Sequence, residues 1–249
     1  RPRQHRHSQM KQAQTFLRMI GNILTNQFGQ YVTLANGNAL PERGVLAVKH
    51  TSLIDIPLIN IVLHQRGRCA KYLMKASLPF QGLLNACGGI PLLRGQEMRA
   101  CLQNANDSQE KESILQWNQR AYAQASAYVN NGGLLFWAPE GHRTRGKVGP
   151  IKREGIERIV EQTAPTPICA VGIKYHWFGA MVSFGRTKCY ERFGADDAYA
   201  LQRELAVLSG LTVSTSSPAA SSSSTSCLKE YPAPGRECRC AKSLSRPHP

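Results

Sequence analysis

Val45-Leu46-Ala47-Val48 is a short apolar run with no polar residue in it, and it reads as a buried strand. Leu134-Leu135-Phe136-Trp137 is a second run of this kind, and Pro167-Ile168-Cys169-Ala170-Val171 is a third, of the fully buried type. Ala70-Lys71-Tyr72-Leu73-Met74, Ile90-Pro91-Leu92-Leu93 and Met181-Val182-Ser183-Phe184 read as further short strands. Between these runs the spacing is helical. Residues 56–63 have Pro57 in the first turn of an expected helix, and residues 78–87 have Pro79 in theirs. Ile114, Trp117, Ala121, Ala125 and Tyr128 recur at steps of three and four, and residues 151–160 and 199–209 are also expected to be helical. Residues 96–112 are polar and read as a loop leading into a helix. Strands alternating with helices predict an α/β domain, with a mixed, mostly parallel sheet flanked by helices.

The ends have a different character. Residues 1–15 carry Arg1, Arg3, Arg6 and Lys11 with no acid, which suits a solvated arm. Phe16, Ile20, Ile23 or Leu24, and Phe28 then share one helical face. That face fits either packing on the core or lying on a membrane. After Gly210 comes Ser/Thr/Ala/Pro low complexity, which cannot build a core and is expected to be disordered. The expected division is therefore 1–34 for the basic arm and amphipathic helix, 35–209 for the folded domain, and 210–249 for the tail. The chain opens on Arg1 rather than Met, which is consistent with a missing upstream piece and leaves room there for a membrane anchor.

The formal net charge of +15 directs the chain toward anions, whether nucleic acid, a membrane surface or phosphorylated substrates. Aromatic residues make up only 7% and do not interleave with the basic ones, so RNA binding on exposed strands is not expected. The eight cysteines include no CxxC pair of the zinc-site type. Those in or beside apolar segments read as free buried thiols in a reducing compartment. No metal site is expected, and no apolar run reaches the length of a membrane span.

Two stretches carry chemistry. The first is His50-Thr51-Ser52-Leu53-Ile54-Asp55, between a strand and a helix. An aspartate that accepts the Nδ1 proton of an imidazole fixes its tautomer and leaves Nε2 free to take a proton. On a regular helix, residues five apart lie roughly 140° from each other, so the pair can meet only in the turn before the helix. The plainer reading is Ser52 or Asp55 as an N-cap, with His50 an ordinary loop residue. The second stretch is Pro139-Glu140-Gly141-His142-Arg143-Thr144-Arg145-Gly146-Lys147, at another strand end. Glu140 and Arg143 suit an ion pair, while Arg143, Arg145 and Lys147 suit an anion pocket. Arg94, at the end of its apolar segment, suits phosphate binding as well as plain exposure. No Gly-x-Ser-x-Gly nucleophile turn is present.

Together these segments resemble the glycerolipid (lysophosphatidate-type) acyltransferase family, over about residues 35–190. His50 and Asp55 match its HxxxxD block. Gly89-Ile90-Pro91-Leu92-Leu93-Arg94 resembles the second block, and Phe136-Trp137-Ala138-Pro139-Glu140-Gly141-His142-Arg143 resembles the FPEGTR block. Pro167 and the strand it leads are similar to the fourth. The resemblance implies O-acyl transfer from acyl-CoA or acyl carrier protein to the free hydroxyl of a lysophospholipid, 1-acyl-glycerol-3-phosphate first. It implies His50 as general base and Asp55 as its support. Arg94 and Arg143 would hold the phosphate, Glu140 and Gly141 would shape that pocket, and Pro167 would border the acyl chain. It implies no cofactor, no metal and no nucleic acid, and a peripheral protein on the cytoplasmic face of a membrane. Two residues depart from the pattern: Lys49, where the family often has Asn, and His142 in place of Thr. They leave the acceptor open to another lyso-lipid, such as a lyso-ornithine lipid or a lysophospholipid with a larger headgroup. A non-catalytic basic protein binding membrane or RNA would explain the charge but not the four blocks.

Overall fold

The computed structural model describes residues 32–34, 40–52, 54–177 and 179–214. In chain order the elements are β1 (Val32–Leu34), β2 (Gly44–Val48), α1 (Asp55–Gln65), β3 (Ala70–Lys75), α2 (Gln81–Ala86), β4 (Gly89–Leu92), α3 (Gly95–Gln103) and α4 (Ser108–Asn130). There follow β5 (Leu134–Trp137), β6 (Lys147–Val148), α5 (Arg153–Thr163), β7 (Thr166–His176), β8 (Gly179–Phe184), β9 (Lys188–Tyr190), α6 (Ala195–Ser209) and β10 (Thr212–Val213).

The apolar runs form the middle of an eight-stranded sheet in the order β1-β8-β7-β2-β5-β3-β4, with β9 on β7. Strands β7, β2, β5, β3 and β4 are mutually parallel, while β8 and β9 run antiparallel to β7. The mixed, mostly parallel α/β sheet expected from the sequence is thus the sheet found. Every residue of β2 and β5 is buried, because helices cover both faces.

Alternate side chains sort to the two faces. Val45, Ala47, Leu135, Trp137, Ile168 and Ala170 pack under α4, α5 and α6. Leu46, Val48, Leu134, Phe136, Cys169 and Val171 pack against Ile59, Val62 and Leu63 of α1. Gly44 of β2 lies against Pro167 of β7. Its φ is +127°, and a Cβ there would overlap the Pro167 carbonyl.

Three sequence expectations need correction. The polar stretch 96–112 is not a loop but α3 and the first turn of α4. Met98, Cys101 and Leu102 give α3 a narrow apolar edge that packs on Leu93 and Ile114. Its start is held by Glu97, whose Oε2 accepts from the Arg94 N–H at 3.0 Å. Asp107 caps α4 by accepting the Glu110 N–H at 2.7 Å. Second, the folded domain passes both expected bounds: β1 pairs with β8, and β10 pairs with β6 beyond the expected start of the tail. Third, only some of the cysteines are buried. Cys101 and Cys169 are, while Cys69 and Cys189 are exposed. The expected basic arm and amphipathic helix, and the tail from 215 onward, lie outside the described residues.

Candidate active site

The parallel ladder sets the site. The Lys49 N–H extends β2 by bonding the Val171 carbonyl at 3.0 Å. The chain then leaves the sheet and α1 begins at Asp55. Asp55 is not the N-cap. Ile54 holds that position with no side-chain cap, and Asp55 turns its carboxylate back into the preceding turn.

There it accepts the Thr51 N–H at 2.6 Å, the Ser52 N–H at 2.8 Å and His50 Nδ1 at 2.9 Å. The Tyr175 hydroxyl, at the far end of β7, donates to its other oxygen. Burial alone would raise the carboxyl pKa, but the hydrogen bonds from His50, Ser52, Tyr175 and Thr51 outweigh it and hold it below 3.8. Burial first, and then the same contact, push the Tyr175 phenol up. An ionised Asp55 can only accept, so His50 Nδ1 must carry the proton it shares. That leaves Nε2 as the nitrogen turned away from Asp55, on a side chain that is 18% exposed.

The second stretch faces the first. Glu140 follows β5 and is buried beside Lys49, with Nζ to Oε2 at 2.5 Å. Its Oε1 accepts from the Thr144 hydroxyl at 2.6 Å and from the Gly149 N–H. Lys49 Nζ also donates to the Thr144 carbonyl at 3.0 Å, and the Thr144 N–H donates to the His50 carbonyl at 3.2 Å. Glu140 therefore pairs with Lys49, not with Arg143, and both its oxygens are occupied inside the turn. It organises the loop and does not itself face an anion. Gly141, at φ +69°, turns the chain beside Lys152. The ring of His142 is exposed and its Nδ1 donates to the Glu140 carbonyl at 2.8 Å.

Arg143 is exposed and directly precedes Thr144, whose N–H bonds the His50 carbonyl. Arg94 is exposed at the end of β4, at the same end of the sheet. Three strand spacings separate β4 from β2, roughly 14 Å at about 4.8 Å each. Pro167 is not with them. Val45 pairs with Ile168, so Pro167 stands level with Gly44, at the opposite end of the sheet and roughly 20 Å from His50 by strand rise. It lines a cavity of about 790 Å³ there, together with Arg68, Cys69 and Gly133. Among the described residues, no group of three or more His, Cys, Asp or Glu is placed to hold a metal ion.

Set beside known proteins, the acyltransferase family model matches residues 31–174. The chain belongs to the acyltransferase family. The matched span holds His50, Asp55, Arg94, Glu140, Arg143 and Pro167, and ends one residue before Tyr175. Among solved structures, the chain is similar to the 1-acyl-sn-glycerophosphate (LPA) acyltransferase PlsC from Thermotoga maritima. The TM-score is 0.51 and the identity 18%, with 82% of this chain and 83% of that chain covered. That likeness supports the acyltransferase fold. No curated protein sequence matches the chain.

Tyr175 and Lys49 were not visible as site residues from the acyltransferase blocks. Lys49 did leave a signal, as a cation at the mouth of a wholly apolar strand, and Glu140 was the one acid in the opposing stretch. Tyr175 left only an aromatic at a strand end. Its contribution is measurable. Tyr175→Phe removes one donor from Asp55 and raises the folded-state carboxyl pKa back toward 3.8. A lowered pKa stabilises the fold above the unfolded value and loses that effect as pH falls through the folded value. The variant should be less stable at pH 7 by about 1 kcal/mol, reduced for the partial exposure of Tyr175. The gap should close below pH 3.8, read by urea unfolding at a series of pH values. An equal gap at every pH would show that the hydroxyl does not act through the carboxylate.

Proposed function

We propose that the chain transfers a fatty acyl group from acyl-CoA or acyl carrier protein to the free hydroxyl of a lysophospholipid. The first candidate acceptor is 1-acyl-glycerol-3-phosphate, which would yield phosphatidate. The observation that carries this is the Asp55-anchored His50 at the carboxyl ends of the parallel strands, tied through the Thr144 N–H to the turn that bears the exposed Arg143.

In this reading His50 Nε2 takes the proton of the acceptor hydroxyl as its oxygen attacks the thioester carbonyl carbon. The tetrahedral adduct collapses, the carbon–sulfur bond breaks, and the leaving thiolate takes the proton back from the imidazolium. Asp55 holds the ring and stabilises its charged form. Arg143 binds the acceptor phosphate, with Arg94 reaching in from β4. Glu140 and Gly141 keep the Arg143 turn in place. Pro167 is given no substrate contact, since its place at the other end of the sheet fits closing β7 onto Gly44 instead. The step uses no bound cofactor or metal. The protein would work at a membrane surface, peripherally and on the cytoplasmic face. The exposed imidazole of His142 beside Arg143 favours a second group of acceptors, lyso-lipids whose headgroup offers more than a bare phosphate.

The test is acyl transfer from labelled long-chain acyl-CoA, and separately from acyl carrier protein, to lysophosphatidate in vesicles, with lyso-ornithine lipid and larger-headgroup lysophospholipids as parallel acceptors. Acylation of at least one is expected. No product from any acceptor with either donor would sink the reading. Within the same assay, Arg143→Ala should raise KM for the phosphate-bearing acceptor about ten- to a hundredfold, the range of a lost charge-assisted contact, while KM for the acyl donor stays unchanged.

A further inference from the structure

Several large apolar side chains stand in water at one end of the molecule. Trp177, in the β7–β8 turn, is 92% exposed, Phe80 is 80% exposed, and Ile54 is 52% exposed. Leu78 and Leu83 are exposed beside Phe80. Phe80 also has a φ of 59°, in the left-handed region that a bulky residue seldom enters, so the chain holds this ring outward at some conformational cost.

The register puts these tips on one rim. Gly44 and Ala70 both pair with Leu134, so Lys75 stands level with Lys49, and Val48 pairs with Val171. The turns that follow β2, β3 and β7 therefore all leave the sheet at the His50 end. Helices α1 and α2 share a face of the sheet, where Ile59, Val62, Leu63 and Leu84 pack together. In strand order Trp177, Ile54 and Phe80 then fall in a row along that face's rim.

The exposed charge on this rim is positive. Residues 141–147 carry Arg143, Arg145 and Lys147 with no acid, and Arg94 is exposed at the end of β4. The nearby acids are spent: Asp55 and Glu140 are buried, and Glu97 is tied to Lys75 at 3.4 Å. Exposed aromatic and aliphatic tips among cations suit a surface that is apolar beneath and anionic on top.

We propose that this rim is the face on which the folded domain docks to an anionic bilayer. Phe80 and Trp177 enter among the acyl chains, and Arg143, Arg145 and Lys147 meet the headgroups. The inference rests on the reading that the acceptor is a membrane lipid, and it adds where that lipid arrives. The His50 turn opens toward the leaflet, so the hydroxyl of a lyso-lipid need not leave the interface to reach Nε2.

The test uses the full chain with phosphatidylcholine–phosphatidylglycerol vesicles whose acyl chains are brominated, and no acyl donor. Bromine should quench a component of the tryptophan fluorescence that Trp177→Phe removes, leaving that of Trp117 and the buried Trp137. Phe80→Ser should weaken vesicle partitioning about tenfold, the value of one aromatic side chain leaving an apolar environment. Val207→Ser serves as the control. Val207 is 75% exposed on α6, which packs on the opposite face, and its loss should change nothing. Absence of Trp177 quenching by the brominated chains, or equal losses in Phe80→Ser and Val207→Ser, overturns the proposal. So does shielding of Trp177 from acrylamide before vesicles are added, which would mean that another part of the chain or a second copy covers the rim. None of these signals depends on acyl transfer, so the docking face and the proposed reaction fail separately.

Discussion

His50→Ala should lower acyl transfer at least about a hundredfold, the low end of what a positioned general base contributes. The fold should survive, because the ring is partly exposed and three other donors still reach the Asp55 carboxylate. The loss should fall in kcat, with KM for the acceptor little changed, since Arg143 and not His50 is the proposed phosphate contact. Asp55→Asn gives a different pattern. Its carboxylate also takes the Thr51 and Ser52 N–H groups and the Tyr175 hydroxyl, and an amide presents one oxygen where the site needs two. An Asn NH2 turned toward His50 Nδ1 would impose the wrong tautomer. Asp55→Asn should therefore lose activity and about 2 kcal/mol of stability, the scale of a buried group left unsatisfied, while His50→Ala loses activity with only about 1 kcal/mol of stability, as one donor leaves the carboxylate. Steady-state kinetics with urea unfolding on both variants separates the two. Wild-type activity in His50→Ala would make the imidazole structural and the proposed mechanism wrong.

The sheet was legible because β2, β5 and the 168–173 stretch of β7 are buried and leave no charged residue to blur the pattern. The His50–Asp55 contact was legible because their spacing allows it only in a turn, and the apolar run before it and Pro57 after it put a turn there. Helix α3 was hidden for a converse reason. Its apolar edge is only Met98, Cys101 and Leu102, and its helical start depends on Glu97 reaching back to the Arg94 N–H, a contact between polar residues that periodicity does not register. Tyr175 was hidden because it meets Asp55 from 120 positions away, across a strand order that single-sequence patterning does not supply. The distance of Pro167 from the site follows from the same register. A proline leading a strand marks the amino end, whereas His50, Glu140 and Tyr175 all stand at or beyond carboxyl ends.

Lys49→Met should cost about 3–5 kcal/mol, the range for breaking a buried ion pair by removing one partner. Both side chains are out of water, at 0% and 1% exposure, so nothing replaces the lost cation. Met fills the aliphatic volume of Lys, which leaves the uncompensated Glu140 carboxylate as the main term. Lys49→Asn, the residue the family often carries there, is shorter and uncharged and should cost a similar amount. The decisive variant is the double Lys49→Met, Glu140→Gln. It removes the stranded charge, and its stability should recover most of the loss. A double variant as unstable as the sum of the singles would show that the two are not coupled. The pair also reaches the chemistry. Lys49 grips Thr144, and the Thr144 N–H holds the His50 carbonyl, so the ion pair locks the turn bearing Arg143 onto the turn bearing His50. Slackening that lock leaves both groups present but lets their separation vary, and a reaction that needs the phosphate and the hydroxyl held together loses rate when it does. The singles should therefore lose acyl transfer beyond what their unfolded fraction accounts for, measured well below their melting temperatures. The double variant, stable but without the Lys49–Thr144 contact, should recover its fold more fully than its kcat/KM.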